Sequence, residues 1–222
     1  ESNKTMKTLE IASSLLCATT LFCALGSPAA AANLVTNGSF EEPGLRSGSW
    51  KALTSEQVDG WTATQGSKIE IRNNKVGTAY EGSHFVELDN HGYDKNAAEI
   101  GLFQDILTKV GQQYTLSFAY GPREQRKVDG DNLLSVSFGD IYEELDAGNS
   151  TDGWKTFSQT FTATDTTTRL KFLSLGKRDT LGANIDDVSV VTADVPEPAS
   201  LLGLAAIGAV AAGGALKKKA TA

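Results

Sequence analysis

Tyr114-Thr115-Leu116-Ser117-Phe118-Ala119-Tyr120 sets a large apolar side chain at every second position, with small or polar ones between. A period of two sends alternate side chains to opposite faces of a strand, whereas a helix needs a period near 3.6. The same phase recurs in Leu134, Val136 and Phe138, and in Leu170 and Phe172. Phe157 and Phe161 keep it with Thr156, Ser158, Thr160 and Thr162 opposite, and Val188 and Val190 close the series. Gly121-Pro122, Asp129-Gly130-Asp131-Asn132, Gly148-Asn149 and Asp152-Gly153 punctuate the runs as turns. No segment carries an amphipathic helical stripe, and no internal repeat is present. The pattern predicts an all-β domain of about eight to ten short strands, folded as an antiparallel β-sandwich.

Both ends of the 222-residue chain differ from this middle in composition. Residues 33–194 hold 15 Lys and Arg against 24 Asp and Glu, a balance of −9. That acidity argues against a nucleic-acid partner, which needs a basic face to displace counterions. Cys17 and Cys23 both precede the domain, so it has no disulfide, no thiolate nucleophile and no cysteine metal site. With His84 and His91 its only histidines, a His-rich zinc centre is excluded as well.

The N-terminal segment reads as an address. Residues 1–5 lie ahead of Met6, Lys7 adds charge, and Ile11 to Leu25 is an apolar run ended by Gly26-Ser27-Pro28. Ala29 to Ala32 supplies the small residues of a cleavage site, which places signal-peptidase cleavage between Ala32 and Asn33 after passage through the Sec translocon. The run is shorter than the ~20 residues of a membrane span.

A second address closes the chain. Val195-Pro196-Glu197-Pro198 precedes an apolar stretch from Leu201 to Leu216 and then Lys217-Lys218-Lys219. This combination resembles the PEP-CTERM sorting signal over Val195 to Lys219. The resemblance implies a short transmembrane sorting helix held in the inner membrane, with its lysines cytoplasmic. It further implies recognition at Val195, Pro196, Glu197 and Pro198 by an exosortase, in a Gram-negative bacterium that makes exopolysaccharide. Lysines stand where the family more often has arginines, which keeps the charge.

The domain's ends resemble the galactose-binding-like jelly rolls, a group with many carbohydrate-binding modules. Asn33-Leu34-Val35 with Asn37-Gly38-Ser39-Phe40-Glu41 opens it, and Ile185-Asp186-Asp187-Val188-Ser189-Val190 closes it. In that family the first and last strands are neighbours with a structural calcium beside them. The resemblance implies Ca²⁺ held by Glu41 and Asp187 with backbone carbonyls, a set suited to a hard cation taking six to eight oxygens. Alternation puts Asp186, not Asp187, in phase with Val188 and Val190. Either a bulge resolves this or Asp186 makes a buried hydrogen bond, and both carboxylates also read as solvated strand ends.

Aromatic side chains stack on the C–H faces of sugars, and Trp50, Tyr80 and Tyr93 lie in Gly- or Asn-rich loops, where exposure is expected. Trp61 and Trp154 follow glycines at strand starts and are expected in the core. Glu87, Asp89 and His91 share a face if their strand continues, which leaves a glycoside hydrolase as a lesser alternative. No nucleophile elbow, phosphate loop or zinc-protease motif is present. The sequence therefore predicts a non-catalytic, exported cell-surface or matrix protein that binds glycans of exopolysaccharide or envelope. The alternative is a purely structural adhesion protein that binds other proteins.

Processing is directly testable by intact mass. Protein recovered from the envelope should lack both the leader through Ala32 and the lysine tail. A chain still ending in Lys217–Lys219, from cells with active exosortase, would contradict the sorting expectation.

Overall fold

The computed structural model describes residues 31–124 and 131–193. The leader before these residues, the motif Val195–Pro198 and the stretch Leu201–Leu216 lie outside them. The described chain forms β1 (Ser49–Leu53), β2 (Thr62–Ala63), β3 (Ile69–Asn73), β4 (His84–Glu87), β5 (Gly101–Leu107) and β6 (Gln113–Gly121). It continues through β7 (Leu133–Phe138), β8 (Ile141–Asp146), β9 (Lys155–Thr162), β10 (Thr167–Ser174) and β11 (Asn184–Thr192). One sheet runs β1-β3-β4-β11-β6-β9 and the other β2-β5-β10-β7-β8, with antiparallel pairing throughout. From β4 to β7 the chain changes sheet at every step, as in a jelly roll. The all-β sandwich expected from the alternation is what forms.

The alternating residues meet between the sheets. Leu116, Phe118, Leu134, Val136, Phe138, Leu170, Phe172, Val188 and Val190 are all buried in one apolar cluster. Trp61 joins it, its ring 5.3 Å from Phe40 and 6.2 Å from Phe172. Each such side chain contributes about 1.5–3 kcal/mol by leaving water.

Between Asp186 and Ser189 the pairing of β11 with β6 shifts register, and Asp187 takes a positive φ of 49°. This bulge lets Asp186 pair with Ala119 on one side while Val188 and Val190 return to the core. The N-terminal segment closes over it. Asn33 donates from Nδ2 to the Val188 carbonyl and accepts from the Val190 amide. Gly38 lies so close against the Val188 carbonyl that a Cβ there has no room.

The outer face of the six-stranded sheet buries charge as well as Phe85. Ile69, Ile71, Val86 and Ile185 point to the core, so Glu70, Arg72, Glu87 and Asp186 point outward, yet all four are buried. Arg72 bridges Glu70 and Glu87, and Arg123 donates to both Glu87 oxygens at 2.8 and 3.0 Å. His91 donates its backbone N–H to Glu70 at 2.8 Å, with Nδ1 at the same distance. Two carboxyl groups face two guanidiniums in a layer where one unpaired charge costs several kcal/mol, and Arg72 Nε is left without a partner among the described residues.

Burial pushes the Glu87 carboxyl from 4.5 up to about 7, with Arg72 and Arg123 opposing and Glu70 reinforcing. The native state then keeps a proton that the unfolded chain has lost between those values. Its contribution is complete below about 4.5 and is lost as pH rises through about 7. The melting temperature of the wild type should therefore fall more steeply than that of Glu87→Gln between about pH 5 and about pH 8. Parallel profiles would contradict the assignment.

Candidate functional site

Glu41 and Asp186, expected to hold calcium, both bind the loop from Tyr80 to His84, and their oxygens accept hydrogen bonds. Glu41 Oε1 accepts the backbone N–H groups of Ser83 and His84 at 2.6 and 2.9 Å. Its Oε2 accepts from the Ser83 hydroxyl at 3.0 Å and from His84 Nδ1 at 2.7 Å. Leu45 N–H donates to His84 Nε2, so Nδ1 carries the proton of the neutral ring. Burial raises the Glu41 carboxyl, but the bonds from Ser83 and His84 outweigh it and bring it to about 2.

Asp186 Oδ2 accepts the amides of Tyr80 and Glu81 at 2.8 and 2.9 Å, and its Oδ1 accepts the Asp187 amide. Both possibilities left by the sequence are thus realised: a bulge and a buried hydrogen-bonded Asp186. Asp187 alone stays exposed, its carboxyl raised by partial burial and by the charge of Glu81. Among the described residues no group of three or more His, Cys, Asp and Glu is arranged to hold a metal.

The aromatic candidates separate. Trp50 on β1 is 39% exposed and packs on His91, ring centroids 4.7 Å apart, with the Arg72 guanidinium 5.9 Å from its ring. Tyr93 donates its hydroxyl to the Arg178 carbonyl at 2.8 Å and braces a loop. Tyr80 is 46% exposed and meets Trp154 edge to face at 6.1 Å. Trp154, expected in the core, is instead half-buried on the outer face. Its Nε1 donates to the Thr78 carbonyl at 2.8 Å, and its edge meets Phe85 at 5.9 Å.

Trp154 reaches this place because Gly121 has no side chain. A Cβ at Gly121 would stand 3.0 Å from the indole ring, so the ring lies over bare backbone. Beside it opens a cavity of about 170 Å³ walled by Trp154, Thr78, Gly121, Glu124, Thr151 and Asn184. Asn184 donates Nδ2 to the Pro122 carbonyl, and its buried Oδ1 has no partner among the described residues. A second, wider cavity of about 430 Å³ between residues 64–66 and 94–99 has no aromatic wall.

Glu87, Asp89 and His91 do not converge. Strand β4 ends at Glu87, so the alternation assumed for them stops there. Glu87 is held by two arginines and His91 by Glu70. Asp89 Oδ2 accepts the amides of Asp179, Thr180 and Leu181.

Comparison with known proteins adds fold relatives. TmCBM61, solved in complex with beta-1,4-galactotriose, is 14% identical over 73% of this chain and 99% of its own, with a TM-score of 0.46. A family 16 carbohydrate-binding module is 16% identical over 72% and 99%, with a TM-score of 0.45. A sugar-binding protein from Bacteroides thetaiotaomicron, described there as putative, is 16% identical over 73% and 100%, with a TM-score of 0.44. A search of curated proteins gave no match. Residues 194–219 match the PEP-CTERM protein-sorting motif, which marks an exported protein and covers Val195 to Pro198. Residues 33–191 match the model described as "Protein of unknown function (DUF642)", and the chain belongs to that family.

Proposed function

We propose that the protein is sorted by an exosortase to the cell surface or extracellular matrix and there binds glycans without altering them. The cavity beside Trp154 carries this reading. An indole face next to hydroxyl and amide groups suits a sugar ring, whose C–H face is apolar and whose rim is polar. The volume of about 170 Å³ is below the roughly 300–1,000 Å³ of common ligand pockets, which favours one ring or a chain end. Position supports it too. Asn184 at the cavity and Thr192, the last strand residue before the sorting segment, are opposite ends of β11. They are the first and last of nine strand residues, about 25 Å apart, so a surface-tethered domain presents the cavity outward.

A glycan array on the purified protein tests this reading. The best ligand should lose about tenfold or more in affinity with Trp154→Ala and lose less with Tyr80→Ala. Trp50→Ala, about four strand spacings away, should bind as the wild type. Absence of any bound glycan, or unchanged binding by Trp154→Ala, would contradict it.

We further propose a structural Ca²⁺ at the Glu41, Asp186 and Asp187 corner. The exposed Asp187 carboxylate, facing the negative charge of Glu81, supports it. Calcium should raise the melting temperature of the wild type by mass action and leave Asp187→Ala almost unchanged. Equal melting curves with calcium and with chelator would reduce these acids to hydrogen-bond acceptors.

A further inference from the structure

Besides the hydroxyls of Thr78, Ser150 and Thr151, the wall of the Trp154 cavity carries an orphaned acceptor and a carboxylate. Asn184 Oδ1 is buried and unpartnered, while its Nδ2 is already committed to the Pro122 carbonyl. The Glu124 side chain lies across the cavity against Gly77. Among the described lining residues there is no Lys, Arg or His. A buried acceptor without a donor is destabilising until a ligand supplies one. A carboxylate beside an indole face attracts a cation twice, through the charge and through the ring quadrupole.

We propose that this cavity selects amino sugars carrying a free ammonium group, as in a deacetylated hexosamine polymer. This inference rests on the glycan-binding reading and names its ligand class. The ammonium offers three donors, enough for Asn184 Oδ1 and a Glu124 oxygen together, while the sugar ring lies on Trp154. An N-acetyl group removes the charge and two of those donors, and a neutral hexose has only hydroxyls to offer. The acidic balance of the domain, 15 basic against 24 acidic residues, favours approach of such a polymer over an anionic one.

Calorimetry on the full protein should compare glucosamine oligomers, N-acetylglucosamine oligomers and neutral β-linked glucose oligomers of equal length. The amine series should bind about tenfold or more tighter than the other two. Glu124 is exposed, so Glu124→Gln should fold normally and erase that preference. Trp154→Ala should weaken all three series. Equal affinity for amine and neutral oligomers overturns the inference and leaves the glycan reading standing. Full preference retained in Glu124→Gln also overturns it, because the attraction would then come from the acidic domain at large. No binding of any series overturns the inference, and an empty glycan array beside it overturns the glycan reading as well.

Discussion

Backbone N–H groups bound to side-chain carboxylates hold the loops of this sandwich, and the site depends on them. Asp186 ties down Tyr80 and Glu81, and Glu41 ties down Ser83 and His84 from the other side of the same loop. Asp89 gathers Asp179, Thr180 and Leu181, Glu87 takes Gly182, and Glu70 takes His91. A buried carboxyl oxygen stripped of its donors costs about 1–3 kcal/mol, which holds each loop on its acceptor even where burial raises the carboxyl to about 7, as at Glu87 and Asp186. The loops are thus fixed by side chains that the strands place, and β3 and β4 are buried throughout. The cavity beside Gly121 has Trp154 as its aromatic wall.

The same arrangement couples the ends of the domain to its site. Asn33 is bonded to Val188 and Val190, and Asp186 lies only two residues before Val188 on the same strand. Chain entry, the β11 bulge and the Tyr80 loop therefore form one continuous set of contacts. Leu34 at chain entry bonds to Val190, so the first described residues and the last strand residues lie at the same end of β11.

The core was legible in the sequence because alternation is a local property. Leu116, Phe118, Val136 and Phe172 went where their phase put them. The closing Ile185 to Val190 strand was legible too, down to the conflict between Asp186 and Asp187 that the bulge resolves. The site was less so. Asp59-Gly60-Trp61 and Asp152-Gly153-Trp154 are the same three residue types, yet Trp61 is 1% exposed and Trp154 lines the surface cavity. What separates them is tertiary: Phe40 and Phe172 receive one ring, and the bare backbone of Gly121 receives the other. Glu70 and Arg72 were equally hidden, since alternating charges in a strand read as a solvated face until the loops that bury them are known. Glycine at position 121, in a strand otherwise rich in aromatics, was the one available signal for the cavity.

Amide hydrogen exchange tests the carboxylate-clamped loops most directly. The amides of Tyr80, Glu81, Ser83, His84, Thr180 and Leu181 should exchange as slowly as those of central-strand residues such as Leu116 and Phe118. In Asp186→Asn the protection at Tyr80 and Glu81 should fall while that at Thr180 and Leu181 persists. Exchange of these loop amides at the rate of open, solvated backbone in the wild type would contradict the account.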